Sequence, residues 1–351
     1  MSISLRLFSL SLALVLTCAA CAQQNEVRYE ARPIGFYNVE NLFDTLDGPN
    51  DDAEYLPGSA KLWDSGRYTR KLEHLARVIS EMGTDILPDG LVALGLCEVE
   101  NRQVVEDLVA TGPLAARGYE VVHHEGPDRR GVDVAFVYNP AYFTLLHHRA
   151  YRVVDPSDSL FRTRDQLVVS GLLDGDTVRV IVAHWPSRSG GEKRSLPKRV
   201  LAAELGRHIV DSLLARDPQA RIIYMGDLND DPVDPSVRKF LGSTGDKEFV
   251  TDKKFYNPMH DLFKKGIGTL AWRDTWNLFD QIILSRALVT GAGGNLKYYG
   301  TRVFNQPYLR QDEGNFSGYP LRTFVGDQYQ GGYSDHFPVY VILVKEVEGN
   351  E

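Results

Sequence analysis

The chain has 351 residues, 43% of them hydrophobic and 25% charged, the make-up of a folded protein with a sizeable core. Its 39 basic and 47 acidic side chains give a formal net charge of -8. That excludes the broad basic surface of a tight, non-specific DNA binder and leaves only a local basic cleft open to nucleic acid.

Residues 1–21 read as a targeting leader. Leu5 to Thr17 is apolar apart from Arg6 and interspersed serines, is too short to span a bilayer, and ends in small residues, as a secretory signal does. Ala19-Ala20-Cys21 resembles a bacterial lipobox in which Cys21 becomes the lipidated N-terminus; Ala20-Cys21-Ala22 fits an ordinary cleavage site. The polar Gln23-Gln24-Asn25 that follows suits an anchor and puts the lipoprotein reading first, although Cys18 stands where Leu or Val is usual. Residues 22–30 are expected to be a tether. The expected place is the periplasm or the outer membrane, with secretion as the alternative. Membrane contact is expected only through a lipid on Cys21, and the chain is expected to be a monomer. Cys97 is the single cysteine beyond the leader, so the body holds no internal disulfide.

From Pro33 onward, apolar β-branched runs alternate with helical patterns. Strands are predicted over Ile34–Val39, Leu91–Cys97, Tyr119–His123, Val132–Tyr138, Leu167–Leu173, Val178–His184, Arg221–Met225, Gln281–Leu284 and Val339–Val344. Helices are predicted over Arg67–Met82, where Leu72, Leu75, Val78, Ile79 and Met82 recur at helical spacing, and over Lys198–Leu214. Turns such as Asp174-Gly175-Asp176 join antiparallel neighbours. The sequence has no repeat and no dinucleotide or P-loop glycine pattern. Nothing divides residues 31–346, which are predicted to be one mixed α/β domain. The stretch 287–333, rich in Gly, Tyr, Phe, Arg and Gln, has little periodicity and reads as an insertion. Its aromatic residues either pack on one another or line a substrate cleft beside Arg302, Arg310 and Arg322.

Polar residues gather where the apolar strands end, the place where α/β sheets build sites. The first strand runs out through Asn38, Glu40 and Asn41; an amide can donate to a phosphoryl oxygen and a carboxylate can hold a hard cation, yet Asn-Glu-Asn is also ordinary turn chemistry. Glu98 follows a buried strand, where a carboxylate is costly unless paired or bound to metal. It suits Mg2+, and pairing with an arginine is the alternative. His184 ends a strong strand and Pro186 stops it. Asp227 and Asn229 follow Arg221–Met225; alternation places them on one side, about 7 Å apart, unless the pair forms an Asx-turn. Asp280 and Ser334-Asp335-His336 complete the set, and an Asp–His couple fixes an imidazole tautomer and raises its basicity.

The order and local form of these motifs, N-V-E-N-L-F-D, E-V-E-N, A-H-W-P-S-R, G-D-L-N and S-D-H, resemble the endonuclease/exonuclease/phosphatase superfamily, in an exported bacterial form, from about Pro33 to Val344. The resemblance implies the DNase I-like fold: an α/β four-layer αββα sandwich, two packed mixed sheets flanked by helices, with the site at one rim. It also implies a metal-dependent phosphoric ester hydrolase. In that scheme Glu98, assisted by Glu40 and Asp335, holds Mg2+ or Mn2+, with Ca2+ an alternative. His336 is oriented by Asp280 and acts as general base or polarises the phosphate, while Asp227 positions water and His184 protonates the leaving oxygen. Asn38 and Asn229 stabilise the transition state, joined by Arg164, which is similar to a family arginine that faces phosphate, with a salt bridge to an acidic residue as the alternative for Arg164. A phosphodiesterase or nuclease is the leading expectation. A phosphomonoesterase or a lipid or sugar phosphate hydrolase is the runner-up, and a non-catalytic binding lipoprotein comes last.

Overall fold

The computed structural model describes residues 28–347, so the leader, Cys21 and most of the tether lie outside the described residues. The chain opens with β1 (Arg28–Leu42), α1 (Ser65–Glu81), β2 (Ala93–Val99), α2 (Arg102–Val109), β3 (Glu120–His123) and β4 (Asp133–Tyr138). Next come β5 (Phe143–Tyr151), β6 (Gln166–Leu173), β7 (Asp176–His184), α3 (Glu192–Arg216), β8 (Arg221–Asp227), and the short β9 (Ser243–Thr244) and β10 (Phe255–Tyr256). After α4 (Met259–Lys264), the hairpin β11 (Leu270–Trp272) and β12 (Thr275–Asn277) leads into β13 (Asp280–Leu284) and α5 (Arg286–Thr290). β14 (Leu296–Val303), the hairpin β15 (Phe324–Val325) and β16 (Gln328–Tyr329), and β17 (Val339–Val347) close the chain.

Two sheets result, one in the order β14-β17-β1-β2-β4-β3 and the other β5-β6-β7-β8-β13-β10-β9. Both mix parallel and antiparallel pairs. Their strands read as nearly continuous apolar runs because both faces are covered. Ile34 and Phe36 of β1 point into the core between the sheets, whereas Tyr37 and Val39 face the α1 layer. In β8, Ile223 and Met225 join the inner core while Ile222 and Tyr224 pack under α3. Gly95 marks how close the sheets come: a Cβ there would stand 2.6 Å from Met225 Sδ on the opposite sheet. The result is the DNase I-like sandwich that the motifs implied, with helices outside two packed sheets.

Where structure and expectation differ, the reason is local. β1 starts at Arg28, three residues inside the expected tether, because Arg28–Glu30 extend the ladder against Val347–Lys345. β5 was missed since His147, His148 and Arg149 face solvent on an edge strand and carry no apolar alternation. The 287–333 stretch is less of an insertion than its composition suggested: β14 pairs along β17 and forms an edge of the first sheet, with Leu296 fully buried. Among the described residues, no helix is long and apolar enough to cross a membrane, and Cys97 is a buried free thiol.

Ile282 of β13 lies in the core between the sheets and is fully buried. Ile282→Ala should therefore lower the unfolding free energy by about 2–5 kcal/mol, whereas Leu146→Ala on exposed β5 should stay within about 0.5 kcal/mol. Urea denaturation of both variants measures the contrast, and equal losses would place the core elsewhere.

Candidate active site

Strand register builds one side of the site. In the second sheet His184 pairs with Asp227 across the parallel β7–β8 ladder, and Asp227 pairs with Asp280 across the antiparallel β8–β13 ladder. Three polar residues thus form one cross-strand row at the rim, all of them buried. His336 reaches this row from the turn before β17, and its Nδ1 lies 2.7 Å from Asp280 Oδ2. His336 Nε2 is 4.0 Å from Asp227 Oδ2, and His184 Nε2 is 3.6 Å from the same oxygen. Ser334 fixes the turn, donating to Asn38 O at 2.7 Å and accepting the His336 N–H at 3.1 Å.

The first sheet supplies the other side through matched irregularities. The β1–β2 register shifts between Asn38 and Leu42, and the β2–β4 register shifts between Cys97 and Val99. Glu40, Asn41 and Glu98 sit in those bulges with φ of 51°, 53° and 63°. Non-glycine residues with such φ are uncommon and strained, and bulges commonly re-aim side chains next to active sites. Asn41 N–H donates to Glu98 Oε2 at 3.0 Å, so the two bulges brace each other. Among the described residues Glu98 has no arginine salt-bridge partner; its Oε1 stands 3.9 Å from His184 Nε2. Asn38 Nδ2 donates to Asp227 Oδ2 at 3.0 Å and ties the two sheets together at the rim.

The expected residues therefore converge, but several do different work. The strand ends at Asp227, whose Oδ1 accepts the Asn229 N–H at 2.9 Å, so the Asx-turn forms in place of extended alternation. Asn229 Nδ2 is engaged by Trp185 O at 3.0 Å, and Arg164 Nη2 donates to the same carbonyl at 2.6 Å. Arg164 Nη1 is held by Asp128 at 3.2 Å, and the arginine is buried. Both residues pin the backbone just after His184, so they position that histidine.

Sequence reasoning missed a strap over residues 321–333. Thr323 N–H donates to Glu40 Oε2 at 2.6 Å, and Arg322 pairs with Asp335 and lies 3.7 Å from Glu40. Lys71 on α1, almost fully buried, holds the strap from behind by donating to Thr323 Oγ1 at 2.6 Å and Tyr333 O at 2.7 Å. Tyr55 stacks on Phe43 at 4.4 Å and meets Phe324 and Trp63 edge-on, which walls the Glu40 side with rings. Most aromatic residues of the 287–333 stretch pack: Phe304, Tyr308 and Tyr333 near α1, Tyr298 on Tyr256, Phe324 on the Tyr55 cluster. Tyr299 and Phe316 are exposed. A buried Lys in an apolar run carries a visible signal, and Lys71 inside the helical stripe of Leu72 and Leu75 was that signal.

Burial and crowding set the charges. Burial pushes the Glu40 carboxyl up to about 7, with Asp335 adding to the rise and Lys71 opposing it. Asp227 also rises to about 7 through burial, which outweighs the pull of His336. Burial brings Lys71 down to about 8 against the attraction of Glu40 and Asp335. Burial opposes charge on His336, but Asp280 and then Asp335 and Asp227 outweigh it and hold the imidazole well above its usual value. His184 goes the other way: burial, then Arg164 and Arg130, drive it well below.

Among the described residues, two sets of ligand atoms lie within 4.8 Å of one another: Asp227, Asp280 and His336, and His123, Glu125 and Asp133. Glu98, Glu40 and Asp335, expected from the sequence to hold the metal, do not make such a set, and Thr323 and Arg322 engage Glu40 and Asp335. The donor chemistry nonetheless fits a hard cation. Mg2+ takes one or two carboxylates plus water and phosphate, and among the described residues no arginine or lysine lies within salt-bridge distance of Glu98, whose Oε1 stands 3.9 Å from His184 Nε2.

A model of the Endonuclease/Exonuclease/phosphatase family matches residues 33–345. The chain belongs to that family. Solved structures of the same fold include a humanized D. rerio TDP2, with a TM-score of 0.54 at 15% identity, covering 89% of this chain and 98% of that one. A Bacteroides thetaiotaomicron family protein aligns with a TM-score of 0.54 at 16% identity over 92% and 100% of the two chains. The Bacteroides thetaiotaomicron mannosyl-6-phosphatase Bt3783 aligns with a TM-score of 0.53 at 16% identity over 89% and 99%. No curated protein sequence matches the chain. Family membership supports a hydrolase of phosphate esters, and the acidic and histidine groups at the rim could bind a metal.

Two predictions follow from the rim's electrostatics. Glu40 and Asp227 titrate at about 7 when folded, against 4.5 and 3.8 for the free groups, so the folded state binds more protons across that interval. Stability should then fall as pH rises from about 4 to about 7. In EDTA the melting temperature should drop across this range, Glu40→Gln should flatten part of the drop, and Mn2+ should raise the melting temperature more at pH 8 than at pH 5. A metal effect equal at both pH values would contradict the crowding. If Asp280 acts only by orienting His336, the turnover of His336→Ala with Asp280→Asn should be little worse than that of His336→Ala alone; fully multiplicative losses would show that the pair does not act as a unit.

Proposed function

We propose that the chain is a divalent-metal-dependent phosphodiesterase of the nuclease type, exported by the leader of residues 1–21 and anchored through Cys21. The observation that carries the reaction is the His336–Asp280 couple at 2.7 Å, facing Asp227 and His184 beside an arginine-free Glu98. Glu98, with Glu40 and Asp335 close by, would hold Mg2+ or Mn2+, which when bound neutralises charge on the phosphate. His336, charged through its acidic neighbours, donates from Nε2 toward a phosphoryl oxygen and stabilises the charge that builds there. Asp227 stands between the two histidines and orients the attacking water. His184, neutral in its buried pocket, hydrogen-bonds the ester oxygen. Asn38 acts through Asp227, to which its amide is bound.

Rings on the hairpin before Asp280 would offer flat-ringed substrates a platform. Trp276 of the hairpin before Asp280 stacks on Phe337, next to His336, while Trp272 on the same hairpin is 65% exposed. Phe316 is 53% exposed and packs on Tyr319, whose hydroxyl donates to Asp274 of the hairpin. Exposed rings near a phosphate site suit stacked bases, at about 1–3 kcal/mol per base. One structural neighbour is a D. rerio TDP2 complexed with single strand DNA product, which accords with this reading. The second reading is a phosphomonoesterase on a sugar or lipid phosphate. Arg322 and Arg130 at the mouth favour a dianionic group, and one neighbour is named a mannosyl-6-phosphatase.

Hydrolysis of bis(p-nitrophenyl) phosphate, p-nitrophenyl phosphate and single-stranded DNA, each with Mg2+ or Mn2+ and with EDTA, separates the readings. Diester cleavage lost in EDTA is the expected result; monoester cleavage alone selects the second reading, and turnover unchanged by EDTA would refute the metal. Glu98→Gln should abolish metal-stimulated turnover while the melting temperature holds or rises, because a neutral amide removes a charge from a strand end.

A further inference from the structure

Another cluster of ionisable side chains lies at the turn between β3 and β4. His123 ends β3, Glu125 follows two residues later, and Asp133 begins β4. His123 Nε2 stands 3.4 Å from Asp133 Oδ2, and Nδ1 stands 3.7 Å from Glu125 Oε1. One ligand atom from each of the three residues lies within 4.8 Å of the other two. The His123 side chain is only 2% exposed, yet its Nε2 has no hydrogen-bond partner. The turn is folded directly onto the carboxylate: Gly126 N–H donates to Asp133 Oδ2 at 3.1 Å, and a Cβ at Gly126 would stand 2.4 Å from Asp133 Oδ1.

We infer that His123, Glu125 and Asp133 bind a borderline divalent transition ion, Zn2+ or Mn2+, separately from the catalytic rim. An unpartnered buried imidazole nitrogen is costly, and two carboxylates beside it repel; a cation among them relieves both. One imidazole with two carboxylate oxygens suits Zn2+ or Mn2+, whereas Ca2+ and Mg2+ prefer shells made of oxygen alone. His123 Nε2 and Asp133 Oδ2 stand 3.4 Å apart, of the order found between ligands on an ion bound at about 2.0–2.2 Å, and one ligand atom from each of the three residues lies within 4.8 Å of the others.

The site has a consequence for the rim. The turn that it closes carries Asp128, which holds Arg164 Nη1 at 3.2 Å, and Arg130, whose Nη1 lies 3.4 Å from Asn41 Oδ1. An ion at the base of the turn fixes the two contacts through which that turn reaches His184 and the Glu98 bulge. The inference stands whichever phosphate ester is cleaved.

Calorimetric titration of the EDTA-stripped full chain with Zn2+ alone, then Mn2+ alone, tests it. Wild type and Glu98→Gln should share one binding event that weakens roughly tenfold or more in His123→Gln and in Glu125→Gln. The Glu125 side chain is 71% exposed, so its substitution keeps the comparison sound even if His123→Gln misfolds. Co2+ in place of Zn2+ should give a visible spectrum in wild type that Glu125→Gln alters. Equal Zn2+ and Mn2+ affinities in wild type and Glu125→Gln, or an event lost in Glu98→Gln instead, would overturn the site.

Discussion

Concentrating carboxylates between two apolar sheets is the constraint around which the rest of this molecule is arranged. Asp280 is fully buried, Asp227 nearly so, and Glu40 is 7% exposed. A buried charge without a partner costs several kcal/mol, so each of these groups is answered by a specific neighbour. His336 answers Asp280 at 2.7 Å, Asn38 answers Asp227, and Thr323 N–H with Arg322 answers Glu40. Even so, Glu40 and Asp227 rise to about 7, which shows that the compensation is incomplete. An incompletely compensated, acidic rim is the electrostatic setting in which a cation gains most.

The positions of these groups were legible in the sequence to the extent that strands were. Apolar runs ending in Cys97-Glu98, His184 and Gly226-Asp227 announced both the strands and the side chains that their ends would carry, because burial on two faces leaves little else for such runs to be. Register was not legible. Nothing in the local sequence places Asp280 opposite Asp227, since that pairing depends on an antiparallel return after more than fifty residues. The bulges at Glu40 and Glu98 were equally hidden: no glycine marks them, and the strain is held by the Asn41–Glu98 hydrogen bond and the packing around it. Equally hidden was the anchoring of Asn229 and Arg164: each donates to Trp185 O, a backbone carbonyl that has no sequence signature, and Arg164 Nη1 pairs with Asp128.

The strap of residues 321–333 shows how a stretch without periodicity can still be fixed. Its composition suggests a loop, yet α1 grips it along one face. Lys71 bonds Thr323 and Tyr333, His74 stacks on Tyr333 at 4.5 Å, and Arg77 Nη1 donates to the Tyr333 hydroxyl at 3.3 Å. The strap's own contribution at the rim is polar, through Arg322 and Thr323, and its rings mostly serve to anchor it. Aromatic residues interleaved with arginines therefore marked attachment more than recognition. The exposed rings sit instead on the β11–β12 hairpin, at Trp272, and at Phe316, while Trp276 of that hairpin stacks on Phe337 after His336.

Two histidines a few ångströms from one aspartate end up with opposite tendencies, and their surroundings explain why. His336 touches Asp280 and lies near Asp335 and Asp227, so acidic neighbours overcome its burial. His184 is buried at the end of β7 and feels the positive charge of Arg164 and Arg130, so burial and positive charge act together against protonation. Opposed environments of this kind commonly divide acid and base roles between like residues. Here the division follows from the sheet: β7 delivers His184 from within a parallel pair, whereas His336 arrives on a turn outside the ladder, where Asp280 can meet it. One imidazole favoured in its charged form and one in its neutral form thus arise from strand order. Exchanging the roles would require moving Asp280 to a different strand.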